Sequence, residues 1–222
     1  VNANLRDANL LGSCGMHFSD WLKASSLDTN EFFSDTDRVP SSASKTLLWQ
    51  DPLIPLMEPL TKGKPLAAHY AELSIELLAA AEKGAGAHLL RFAGLLAKAV
   101  SLKANLHTRL AGIYSAGDKQ GMGAVAGKDL PALRSAVEEL WKEHRANWMA
   151  ANSPFGWEVI EARYGGLLIR IDTTKHRLEQ WINGSLERIQ ELEAKLINPW
   201  EWAKEGLPPT HHSRMKTPST IV

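Results

Sequence analysis

The stretch "NSPFGWEVIEARYGGLLIRIDTTKHRLEQW" (152–181) decides the fold. Asn152-Ser153-Pro154 reads as a boundary and Phe155-Gly156 as a turn, because proline removes a backbone donor and pushes the preceding residue out of helical geometry. Downstream, Ile171, Lys175, Leu178, Ile182, Ser185, Ile189, Leu192 and Leu196 step by alternating four and three residues. That period is the seam of a helix in a bundle or coiled coil, here with two polar interruptions. The spacing predicts one helix from Trp157 to about Leu196. Gly165-Gly166 inside it costs about 1 kcal/mol per glycine relative to alanine, so something must come close to the backbone there. A neighbouring helix is the commoner reason, and a ligand or another subunit the sharper one.

The same texture recurs upstream. "LAAHYAELSIELLAAAEKG" (66–84) places Leu66, Tyr70, Leu73, Leu77 and Leu78 on one face, with Gly84 and Gly86 as a stop. "AHLLRFAGLLAKAVSLKANLHTRLAGIYSAG" (87–117) reads as one long helix ending at Gly117, with Leu89, Phe92, Leu96, Val100, Leu106, Leu110 and Ile113 as its apolar side. "DLPALRSAVEELWKEHRANWMAAN" (129–152) has Asp129 as cap, Pro131 in the first turn, and Leu133, Val137, Leu140, Trp141 and Trp148 facing inward. Strand-type alternation is essentially absent. The expectation is an all-α domain, a bundle of three to four long antiparallel helices over 66–197. Residues 1–65 read as short helices and loops forming an accessory layer of the same domain. Ser19, Asp28 and Ser44 stand as helix caps there, and Pro52, Pro55 and Pro59 forbid a long helix. Residues 198–222 read as an extended polar tail.

Composition narrows the function classes. The 222 residues carry 25 Lys plus Arg against 25 Asp plus Glu, without a long basic run, so the charge needed to neutralise nucleic-acid phosphates is missing and no nucleic-acid partner is expected. The one cysteine, Cys14, cannot form an intramolecular disulfide, and a cytoplasmic setting is the expectation. No apolar run approaches the roughly 20 residues that span a bilayer, and the N-terminus has no signal-peptide pattern, so no membrane is expected. A start at Val1 suggests a piece of something larger.

Motifs of chemistry fail on spacing. "QGMGAVAGKDLPAL" (120–133) has Met122 where a phosphate loop needs glycine and Asp129 where it needs a hydroxyl, and reads as a flexible interhelical loop. His69, His88, His107, His144 and His176 have no partner histidine one turn away, so no metal or other cofactor is expected; His211-His212 would bind metal only adventitiously. "LGSCG" (11–15) is too short for a nucleophile elbow. Glu138-Glu139, Glu191 and Glu193 sit among basic residues, as solvated helix faces do. The Asn183-Gly184-Ser185 sequon is discounted because it falls inside the expected seam.

The order "KTLLWQDPL" (45–53), "LAAHYAELSIELLAAA" (66–81), "LAKAVSLKANLHTRLAGIYSAGDK" (96–119) and the run from 152 to 193 resembles the C-terminal helical region of bacterial β-N-acetylhexosaminidases of glycoside hydrolase family twenty. The resemblance covers most of residues 20–197. Its most specific parts are Gln50-Asp51-Pro52-Leu53 and Arg163-Tyr164-Gly165-Gly166. Such enzymes carry a (β/α)8 barrel with an Asp-Glu pair, in which the substrate's own N-acetyl group attacks the anomeric carbon, an exception to the two-carboxylate scheme. A barrel needs about 200 residues of alternating strand and helix, and this chain has none.

The resemblance therefore implies a non-catalytic C-terminal domain with no catalytic residue of its own. Its partners would be an N-terminal catalytic barrel lying outside this sequence and a second subunit in a homodimer. Trp157, Glu161, Arg163, Gly165 and Gly166 are the candidates for a barrel-facing or partner-facing contact, joined by Asp51 beside the proline-rich turn. The alternative is a free-standing helical scaffold or N-acetylhexosamine-binding module that uses exposed tryptophans.

Overall fold

The computed structural model describes residues 18–28, 43–82 and 86–196, and among these every regular element is a helix, with one bridge residue at Gln50. The helices run α1 Phe18–Ser25, α2 Ala43–Trp49, α3 Glu58–Thr61, α4 Leu66–Ala81, α5 Ala87–Lys103, α6 Leu106–Ser115, α7 Lys119–Ala124, α8 Leu130–Ala151, α9 Trp157–Asn183 and α10 Gln190–Glu193. The all-α expectation holds. Cys14, Gly84, His211-His212 and the 198–222 tail lie outside the described residues.

The bundle is built outward from the α4–α5 pair. At Gly94 an added Cβ would lie 2.8 Å from Leu78 Cγ, and Ser74 Oγ donates to the Gly94 carbonyl at 2.9 Å. Glycine is needed because two backbones meet there. Helix α8 packs on α5, α9 packs on α8, and the short α2 lies across α5. Leu47, Leu53, Leu66, Tyr70, Leu77, Leu95, Leu110, Leu133 and Leu167 are fully buried between these layers. Their burial supplies the driving force that helix propensity alone could not.

Several expectations are corrected. The long helix over 87–117 breaks at Ala104-Asn105, because the Asn105 side chain is engaged elsewhere. Its Oδ1 accepts the Ala67 N–H at 2.9 Å and its Nδ2 donates to the Lys64 carbonyl at 3.2 Å, pinning the start of α4. On α5, Leu89 faces solvent and Leu90 takes the buried position. Gly86 lies at φ +79 as the N-cap of α5, rather than stopping α4.

The expected loop at 120–128 is helical. Asp118 Oδ1 accepts the Gly121 N–H at 2.8 Å, starting α7. Met122, Val125 and Ala126 then share a buried face, and the chain passes through a π turn at Val125–Asp129 straight into α8. Three glycines in nine residues suggest a loop, but a capped start and an apolar stripe outweigh them. Asp129 makes no side-chain cap and pairs with Arg109 at 2.7 Å.

Helix α9 ends at Asn183, not near Leu196, because Gly184 turns the chain at φ +83. Ile171 and Leu178 of the seam are buried on α9, whereas Ile189 reaches the core only after a loop. The sequon residues 183–185 are exposed at this helix end. Among the caps, Asp28 acts across space: its Oδ1 accepts the Ser44 N–H at 3.1 Å and the Ser44 hydroxyl at 2.8 Å, serving the start of α2.

Candidate functional site

The Gln50-Asp51-Pro52-Leu53 signature follows α2 directly and forms a buried polar hub. Asp51 Oδ1 accepts the N–H groups of Leu53 at 2.8 Å and Ile54 at 3.0 Å, closing a turn over Pro52. Gln50 Oε1 accepts the Met57 N–H at 3.1 Å. The Asp51 carboxylate is also gripped by Arg170 from the middle of α9, with Nε to Oδ2 at 2.5 Å and Nη2 to Oδ1 at 3.2 Å. This bidentate geometry is the strong form of a charge-assisted bond. Beneath it Lys103, at the end of α5, is 3% exposed. Its ammonium donates to the Leu47 carbonyl at 2.9 Å and to the Gln50 carbonyl, capping the end of α2. Burial pushes the Lys103 ammonium down to about 7, with Asp51 pulling the other way.

An aromatic pocket opens beside the hub, between α2, α5, α8 and α9. The Arg163 guanidinium lies 4.7 Å from the centre of the Trp49 ring, and Tyr164 meets the same indole edge-on at 5.0 Å. Tyr164 shares a 3.1 Å hydrogen bond with His144 Nδ1. His144 lies 4.8 Å from Phe92 and 5.2 Å from Trp157, and Trp148 closes the chain of rings 5.9 Å from Trp157. The cavity holds about 340 Å³, with Asp28 as the one carboxylate among its described lining residues. Burial lowers the Arg163 guanidinium and the His144 imidazole from their usual values and raises the Tyr164 phenol.

A wider hollow of about 730 Å³ between α3 and α6 is lined in part by Glu58, Lys62, His107 and Thr108. The Thr108 hydroxyl donates to Glu58, whose carboxyl is held above its usual range by burial against that bond. Among the described residues no three His, Cys, Asp or Glu side chains converge as metal ligands. No helix among them is long and apolar enough to cross a membrane.

The candidate residues separate into two groups. Trp157, Arg163 and Asp51 face inward. Trp157 is buried among rings, its indole N–H without a partner among the described residues. Arg163 is half-buried on Trp49, and Asp51 belongs to the hub. Glu161 faces solvent, and Gly165 and Gly166 are half-exposed. A Cβ at Gly165 would meet nothing within 4 Å, so no described helix approaches closely at that glycine.

The sequence reading missed Trp49, Lys103, His144 and Arg170. A signal for Arg170 existed: Arg163, Arg170 and Arg177 recur every seven residues along α9. Each reaches a different partner, Trp49, Asp51 and Glu191.

The hub, with its Asp51 turn and Arg170 clasp, explains physically why the Gln50-Asp51-Pro52-Leu53 and Arg163-to-Arg170 segments belong together. No curated protein matches the chain. A family model described as "Glycoside Hydrolase 20C C-terminal domain" matches residues 19–206, and the chain belongs to that family.

Proposed function

We propose that this chain is a non-catalytic helical module of a β-N-acetylhexosaminidase, which packs against a catalytic barrel and takes part in dimer assembly. The family match over 19–206 supports the placement in a glycoside hydrolase. The observation that carries the structural role is how the polar side chains are used. Asp51, Arg170 and Lys103 are committed to one another and to backbone groups. In the aromatic pocket, Asp28 is engaged by Ser44. Glycoside hydrolysis assisted by the substrate's own amide still needs a free carboxyl acid raised in pKa; the raised carboxyl of the wider hollow, Glu58, is taken up by the Thr108 hydroxyl.

The test is direct. The purified chain should release no chromophore from a chromogenic N-acetylglucosaminide between pH 4 and 9, and a separately expressed catalytic domain from the same reading frame should bind it. Sustained turnover by the chain alone would refute the reading.

No specific observation favours the sugar-binding alternative. It rests on open indole faces, yet Trp49, Trp157 and Trp181 are buried. Cations cover Trp49, Trp141 and Trp181 in the form of Arg163, Arg145 and Lys119.

A further inference from the structure

Asn183, Gly184 and Ser185 are all exposed where α9 ends. Asn183-Gly184 is the one Asn-Gly dipeptide in the chain. The backbone nitrogen after an asparagine stands close enough to its side-chain amide carbon to close a five-membered ring, and glycine leaves that nitrogen unshielded. The other asparagines supply the contrast. Asn105 commits its amide to Ala67 and Lys64, Asn147 is followed by the bulk of Trp148, and the exposed Asn152 by Ser153.

The local geometry favours ring closure at Asn183. Its Oδ1 accepts the Ser185 N–H at 2.9 Å and the Ser185 hydroxyl at 2.7 Å; the Gln180 carbonyl, at 3.3 Å, is the longer of that hydroxyl's two acceptors. Two donors on one carbonyl oxygen draw charge from its carbon. They also stand where negative charge gathers when a nucleophile adds, as the donors of an oxyanion hole do. The bond to the Ser185 N–H turns the amide back along the chain that follows, toward the Gly184 nitrogen. That nitrogen is lightly held, its N–H reaching the Trp181 carbonyl at 3.3 Å.

We infer that Asn183 is a site of self-modification, at which the Gly184 nitrogen closes a succinimide ring that water reopens. The Gly184 nitrogen gives its proton to hydroxide and bonds to Asn183 Cγ. The bond from Cγ to the side-chain nitrogen then breaks, and that nitrogen takes up a proton from water, regenerating hydroxide, and leaves as ammonia. Water adds to one of the two ring carbonyls. Breaking the new bond to Cγ gives aspartate; breaking the old peptide bond gives isoaspartate, whose main chain runs through the former side chain. Nothing is oxidised or reduced.

Either product places a carboxylate at the C-terminal end of α9, where the helix dipole disfavours it. Isoaspartate also lengthens the main chain by a methylene, just ahead of the segment that returns Ile189 to the core. The Ile189 N–H donates there to the Tyr114 hydroxyl at 3.1 Å, and Glu191 pairs with Arg177 at 2.5 Å. Modification at 183 therefore shifts the register of this segment against α6 and α9.

Incubating the full 222-residue chain at pH 8 tests the inference, with peptide mapping by mass spectrometry and enzymatic isoaspartate methylation as readouts. Asn183 should convert about tenfold faster than Asn152 or more. Ser185→Ala removes the hydroxyl and keeps the N–H. It should slow conversion about tenfold in the folded chain, the worth of one hydrogen bond, and far less in urea. Circular dichroism checks that the variant folds. Conversion no faster at Asn183 than at Asn152, or a folded-chain rate indifferent to Ser185→Ala, would overturn the inference. In the isoaspartate fraction, separated by charge and peptide map, amide exchange over residues 186–193 should quicken about tenfold. Unchanged exchange there would overturn the shift in register.

Discussion

Lys103 is an ammonium with almost no access to water, yet it sits among leucines at the centre of the fold. Two carbonyls at the end of α2 and the nearby Asp51 make that position tolerable, and burial still drives its pKa from 10.5 to about 7. Between pH 7 and 10.5 the unfolded chain therefore keeps a proton that the folded chain releases, so stability should rise with pH across that window. Tyr70 and Tyr164, raised by burial, oppose this only above pH 10. Thermal melts at pH 7 and 9 should show the rise, and Lys103→Met should flatten it. Arg170→Met should lower stability by about 3 kcal/mol in urea titrations, since it leaves the buried Asp51 carboxylate without its countercharge. Asp51 drew notice in the sequence because it precedes a proline-rich turn. Lys103 did not, because nothing in its local pattern separates a buried lysine from one on a solvated helix face.

Glycines distinguish the helices by what surrounds them. Gly165→Ala in α9 meets open space and should stabilise the isolated fold by about 1 kcal/mol through helix propensity. Gly94→Ala in α5 would press on Leu78 and its backbone, and should destabilise. Gly184→Ala at the end of α9 imposes a side chain on φ +83 and should cost about 1 kcal/mol. Denaturant midpoints for the three variants check all of this, and matching signs for Gly165 and Gly94 would contradict the packing described. The long helices themselves were legible from period alone, because each has one buried stripe. Their ends were less so. The break at Asn105 depends on a contact with Ala67 and Lys64, 38 and 41 residues away in sequence. The helical 119–129 segment depends on a cap and three buried residues that outweigh its glycines. Such long-range terms override local propensity and have no local signature.

Among the described residues the molecule is a stack of helical layers, with Val159 and Ile169 exposed on the outer side of α9. The class of the fold was readable from helical periods and the family from its signature segments, two of which meet in space at the Asp51–Arg170 clasp. The aromatic pocket was not, since Trp49, Phe92, His144 and Tyr164 come from four helices and share no motif. Acid should unsettle this arrangement below about pH 6.5. His107 and His144 are held below their usual values by burial and resist protonation in the fold but not in the unfolded chain. His144→Phe should remove part of that acid sensitivity in melts between pH 7 and 5.5. The Asp51–Arg170 clasp has one more consequence, a kinetic one. It joins groups 119 residues apart, and closing so long a loop belongs late in folding, after the local α4–α5 hairpin has formed. Its removal should leave the refolding rate nearly unchanged and accelerate unfolding by about 150-fold for a 3 kcal/mol loss, which makes this single ion pair the latch that sets how long the assembled domain survives between openings.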